Sequence, residues 1–139
     1  MSSVPMRAQR IFHILVVDDD PAMRLMVRAM LERDRRLHVV AEAYNGRDAV
    51  SLVERTCPDA VVLGMQMPLV DGITATSLIK RVCPNTAVII FSAVTTTTLV
   101  QKAFEAGADL YLSKTTRPAD LAEAINKLCV QAARLSEIA

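Results

Sequence analysis

Five short apolar, β-branched runs alternate with amphipathic segments along this chain, and that alternation leaves few folds open. The runs are Arg10–Val17, Leu37–Ala41, Asp59–Leu63, Thr86–Phe91 and Ala108–Leu112. Runs of this length, apolar at nearly every position, suit strands covered on both faces, as in a parallel sheet with helical crossovers. The expected class is therefore α/β, five strands alternating with five helices. In such a sheet, chemistry gathers beyond the carboxyl ends of the strands.

The intervening segments carry helix signals. Asp20-Pro21 supplies a cap and a first-turn proline, followed by a Met23, Met26, Val27, Met30, Leu31 stripe. Asn45-Gly46 opens a second helix with Ala49, Val50 and Val53 inward, ending around Cys57-Pro58. Asp71 caps a third, bearing Ile73, Leu78, Ile79 and Val82, and Pro84 ends it. The hydroxyls of Thr95–Thr98 can cap a fourth, with Ala103 and Phe104 facing the core before Gly107. Pro118 and Asp120 open the last, whose stripe is Leu121, Ile125, Leu128, Ala132 and Leu135. Leu37–Ala41 is short and belongs at or near a sheet edge.

The chain has 139 residues, enough for one domain with a sizeable core. With 52% apolar residues it is not a disordered segment, and a net charge of +1 without a basic run argues against nucleic-acid binding. No uninterrupted apolar stretch reaches the roughly 18 residues of a membrane span, and residues 1–10 read as a flexible lead-in with no signal-peptide core. Cys57, Cys83 and Cys129 form no CxxC pair and are not grouped with His13 or His38, so they read as free thiols of a reducing cytoplasm.

The strand ends hold the polar residues. Asp18-Asp19-Asp20 follows the first run, where a helix cap needs only one carboxylate, and adjacent carboxylates also suit magnesium, which takes hard oxygen ligands. Gly64 follows the third run, then Met67-Pro68 and Asp71-Gly72; Ser92-Ala93 follows the fourth and Lys114 the fifth, with Tyr111 three residues earlier. Singly, Ser92 reads as a turn residue, Lys114 as a surface lysine and Tyr111 as a half-buried strand tyrosine. A nucleotide-binding fold would need a glycine-rich loop after the first strand, where this chain has three aspartates. A hydrolase working through an aspartyl-phosphate is the other enzyme class to weigh.

Taken in order, from about Phe12 to Cys129, this set closely resembles the receiver domain of response regulators, the phosphoacceptor half of two-component signalling. The resemblance implies a flavodoxin-like (βα)5 fold with strand order 2-1-3-4-5, occupying residues 11–134 with a tail or linker start over 135–139. It implies that Asp18 and Asp19 are the acidic pair, with Asp19 the direct Mg2+ ligand and the Gln66 backbone carbonyl contributing. Ser92 would bond a phosphoryl oxygen, Lys114 would pair with the acidic pocket, at Asp19, and Tyr111 would report the signalling state. The signalling face would be helix 4, strand 5 and helix 5. Thr115 stands where many relatives have proline, so a cis bond after Lys114 has no proline to favour it.

One residue departs from the pattern. The acceptor aspartate position holds Gly64, which has no carboxylate to phosphorylate or to ligate a metal. Asp59, about five residues and ~16 Å away along the strand, and Asp71, a helix cap, are poor substitutes. The implied function is a non-enzymatic, phosphorylation-incompetent signalling module acting through protein–protein contacts. Its partners would be a histidine kinase, a phosphotransfer protein or a second copy, with Mg2+ bound weakly, in the cytoplasm and without membrane or direct nucleic-acid contact. The alternative is a phosphorylatable regulator whose acceptor has been replaced by design, the N-terminal part of a DNA-binding transcriptional regulator.

Overall fold

The computed structural model describes residues 10–138; residues 1–9, which hold most of the expected lead-in, and Ala139 lie outside the described residues. The strands are β1 Phe12–Val17, β2 Leu37–Ala43, β3 Ala60–Leu63, β4 Ala87–Ser92 and β5 Leu110–Ser113. The helices are α1 Pro21–Glu32, α2 Gly46–Thr56, α3 Gly72–Val82, α4 Thr97–Glu105 and α5 Pro118–Ile138. All strands pair in parallel, in the order β2-β1-β3-β4-β5. The α/β alternation and the strand order are as expected, and β2 is an edge strand.

The two-residue period of a strand divides the core in two. Phe12, Ile14, Val16, Val62, Ile89 and Phe91 face one layer, closed by Val27 and Leu31 of α1 and Leu121 and Ile125 of α5. Leu15, Val17, Val61, Leu63, Val88 and Ile90 face the other, closed by α2 (Ala49, Val53), α3 (Ala75, Ile79) and α4 (Ala103). Complete burial of one such Val, Leu or Ile side chain stabilises the fold by about 1.5–3 kcal/mol. In β2 the register with β1 slips between Ile14 and Leu15, whose partners are Val39 and Ala41. Val40 is the extra residue, and its side chain is turned out, 43% exposed.

Three expectations about packing change. Met26 is 48% exposed and Phe104 46%, so α1 buries Val27 and Leu31, and α4 buries Ala103. A short helix on a twisted sheet touches it along one narrow line, and residues one step off that line stay in solvent. Thr96 is the N-cap of α4 but makes no side-chain cap bond. By contrast Asp20, Asn45 and Asp71 each accept a backbone N–H, from Ala22, Asp48 and Thr74.

The third change concerns sulfur. Cys57 and Cys83 are joined in a disulfide, Cα atoms 5.9 Å apart, where free thiols were expected. The cause is topological: each cysteine is the C-cap of one of two neighbouring crossover helices, α2 and α3, which run side by side and end at the same edge of the sheet. Cys129 is free and buried, and burial pushes its thiol up to about 12.

Candidate functional site

Parallel register brings the ends of β1, β3, β4 and β5 to one edge. The Gly64 N–H donates to Val17 O (2.9 Å), and the Lys114 N–H donates to Ser92 O (2.9 Å). The ladder thus continues one residue past the strands and aligns Asp18, Gly64, Ser92 and Lys114. Asp18 and Ser92 are each 4% exposed.

Asp18 is the centre of the site. Its Oδ2 accepts the Lys114 ammonium at 3.0 Å, and its Oδ1 accepts the Asp20 N–H at 3.0 Å. The Asp18 side chain is 6% exposed and that of Lys114 26%. A carboxylate this buried needs such partners, because unpaired burial of a charge is costly. The expected Lys114–Asp19 contact is therefore a Lys114–Asp18 contact. Asp19 faces solvent, since the chain turns into α1 immediately after Asp18 and the strand's in-out alternation ends there.

Arg24 was not anticipated. Its guanidinium donates to Asp18 O (2.7 Å) and pairs with Glu42 (3.3 Å), which Arg28 also contacts (2.8 Å). One turn into a helix capped by Asp20, an arginine can reach back over the preceding loop; the Asp-Pro-x-x-Arg spacing was the available signal.

Gly64 is buried, and a Cβ there would sit 3.2 Å from Asp18 Oδ2, 3.5 Å from Asp18 Cγ and 3.6 Å from Val17 O. A side chain at 64 would therefore enter the space beside the Asp18–Lys114 pair. Gln66 is exposed in the following loop, which also holds Leu69 with φ 72°. Among the described residues no group of three or more His, Cys, Asp and Glu side chains is placed to hold a metal ion. With both Asp18 oxygens engaged by protein donors and Asp19 turned outward, the residues present fit a resident divalent cation poorly.

Ser92 and Tyr111 are connected through Val94. The Val94 N–H donates to Ser92 Oγ (3.0 Å), and the Tyr111 hydroxyl donates to Val94 O. Tyr111 is half-buried and packs against the α2–α3–α4 layer. No cis peptide bond occurs among the described residues. The structure thus joins Asp18 with Lys114, and Ser92 with Lys114 and Tyr111, and leaves Asp19 and Gln66 at the solvent side.

A model of the response regulator receiver domain matches residues 14–126. The chain is 39% identical over 114 residues to the chemotaxis protein CheY of Bacillus subtilis (strain 168), covering 82% of this chain and 94% of that protein. It is 31% identical over 124 residues to the nitrate/nitrite response regulator protein NarL of Escherichia coli (strain K12), covering 89% of this chain but 57% of NarL. A solved two-component response regulator of the LuxR family from Aurantimonas sp. SI85-9A1 superposes with a TM-score of 0.83 at 36% identity, over 87% of this chain and 86% of that one.

Proposed function

Given that the chain belongs to the response regulator receiver domain family of two-component systems, we propose that it is a receiver that cannot take a phosphoryl group and signals by protein–protein contact. The observation that carries this is Gly64: a side chain there would enter the space beside the Asp18–Lys114 pair, and glycine has none. Phosphoryl transfer to an aspartate needs a carboxylate nucleophile, and Asp18, the buried carboxylate nearest that space, is held by Lys114 and the Asp20 N–H.

In this reading residues 11–134 are the receiver unit. Ser92 and Lys114 are the remaining pocket, and Ser92 with Tyr111 is the switch. Asp18, Asp19 and the Gln66 carbonyl are a weak Mg2+ site at best. The chain is not an enzyme and works in the cytoplasm. Its contacts are made through α4, β5 and α5, with a histidine kinase, a phosphotransfer protein or a second copy.

A second reading is a phosphorylatable regulator in which the acceptor has been replaced. The intact Asp18, Ser92 and Lys114 set favours it. The chain spans about half the length of its NarL-type relatives, and in this reading it is the N-terminal part of a DNA-binding transcriptional regulator.

Intact mass after acetyl phosphate and Mg2+, on this chain and on Gly64→Asp, tests both. The parent should gain no phosphoryl mass; a gain mapped to any pocket aspartate refutes incompetence. Labelling of Gly64→Asp alone supports the replaced-acceptor reading. Labelling of neither leaves the pocket without phosphoryl chemistry and the binding role standing.

A further inference from the structure

Cys57 and Cys83 sit at the edge of the sheet opposite to the Asp18–Lys114 pair, where β3 and β4 begin. The receiver reading makes no use of them. Cys57 is exposed and Cys83 is buried. We propose that their disulfide is a reversible thiol–disulfide modification site that acts as a lever on the loop following Gly64.

The helices that the disulfide joins touch this loop at their other ends. At the start of α2, a Cβ on Gly46 would lie 2.1 Å from Val70 O and 2.8 Å from Val70 Cβ. At the start of α3, a Cβ on Gly72 would lie 2.3 Å from Gly64 O and 2.9 Å from Met65 Cα. These are mostly backbone contacts, with no flexible side chain to absorb a displacement. Each helix has 11 residues, a rod about 16 Å long. Tying the two C-termini together restrains how this packed pair of helices can pivot, and with it the spacing of the two N-termini across residues 64–72. Leu69 is held at φ 72° inside that clamp; a residue other than glycine keeps such a conformation only where its surroundings enforce it.

The site also accommodates both redox forms. The Cys57 N–H donates to Val53 O at 2.7 Å, and Cys83 Sγ lies 3.3 Å from the same oxygen. A dithiol reductant attacks the exposed Cys57 sulfur as thiolate, and Cys83 leaves as thiolate. Cys83 takes up a proton and can donate its new S–H to Val53 O. The second thiol of the reductant then displaces Cys57, which is protonated in turn. Two electrons and two protons pass to the cysteines, and the reductant ends as a cyclic disulfide.

The inference rests on the receiver reading in one respect: an intracellular setting, where protein disulfides tend to be transient or redox-sensing. Amide hydrogen exchange followed by mass spectrometry tests it without phosphoryl chemistry. A failure here leaves the receiver reading untouched, and an unlabelled Gly64→Asp leaves the lever untouched. The chain is equilibrated with oxidised or reduced dithiothreitol, and each form is exchanged at neutral pH. Amides of residues 65–72 should exchange at least threefold faster in the reduced form, while β1 and β4 stay unchanged. Cys57→Ser, a change at an exposed position, should give the faster rate in both buffers. Equal rates in the two forms, absence of the disulfide after oxidation, or reduction only upon unfolding would each overturn the lever.

Discussion

Replacing Gly64 by aspartate places a second carboxylate beside the Asp18–Lys114 pair. The new Cβ lies 3.2 Å from Asp18 Oδ2, so Asp18 must yield by a few tenths of an ångström. Gly64 is not among the positive-φ residues, so the backbone there suits any side chain. Relief of glycine's excess freedom stabilises the variant by about 0.5–1 kcal/mol. Against this stands the second carboxylate. With charge centres about 5 Å apart, repulsion is roughly 1–3 kcal/mol for effective dielectric constants between about 80 and 20. Lys114, 3.0 Å from Asp18 Oδ2, offsets part of it. A net loss of up to about 2 kcal/mol remains. Unfolding entropies near 2.1 cal/mol/K per residue give about 0.3 kcal/mol/K for a chain of this size, so Tm should fall by up to roughly 7 °C. The measurement is calorimetry at pH 7 in chelator, repeated with millimolar Mg2+. A cation that binds the folded aspartate variant should restore its Tm and leave the parent unmoved. A variant as stable as the parent in chelator, and indifferent to Mg2+, would refute this account of the pocket.

Two further outcomes follow from the charge pairs. Lys114→Met should destabilise the chain by about 1–3 kcal/mol, less than for a fully buried pair because the lysine is partly exposed, by stranding the Asp18 carboxylate. Adding Asp18→Asn should return much of that loss in urea titrations, whereas additive losses would mean the pair is uncoupled. Arg36, with a smaller contribution from Asn126, holds the Asp34 carboxyl below its ordinary value. A depressed carboxylate contributes stability above its unfolded pKa near 3.8, and loses it as pH falls through the lower folded value. The acid limb of the stability curve below pH 4 should therefore be shallower in Arg36→Ala, and an unchanged limb would remove Asp34 from it.

Period and punctuation were enough to locate all five strands, most sharply β1, β3 and β4, which are buried at nearly every position; β2 buries only alternate residues and runs to Ala43, two past its expected end. They were also enough for Asp20, Asn45 and Asp71, whose capping needs only a short side chain next to free N–H groups. What depends on three dimensions was less legible. Choosing between Asp18 and Asp19 for the lysine required the geometry of the turn after β1, where alternation no longer applies. The disulfide required knowing that α2 and α3 are neighbours. A signal was nonetheless present, since Cys57-Pro58 and Cys83-Pro84 end two successive crossover helices at equivalent positions. The apolar stripe of α1 is wider than its buried face, Val27 and Leu31, because periodicity reports which face turns inward and not how much of it reaches the sheet.

The absent carboxylate at 64 does not dismantle the route by which such a pocket could communicate. Lys114 belongs to both halves of it: its ammonium holds Asp18, and its backbone N–H holds Ser92 O. Ser92 in turn positions Val94, and Val94 O receives the Tyr111 hydroxyl. None of these bonds involves residue 64. A partner seated near Tyr111 that distinguishes two arrangements of this chain would shift their balance only by its differential affinity, about 1.4 kcal/mol for each tenfold preference. Coupling between two binding events is reciprocal by linkage, so a partner that favours an arrangement with a different Lys114–Asp18 pair would be sensed at that pair. On the proposed binding role, the strength of the Lys114–Asp18 pair would set how much binding energy moving this network requires.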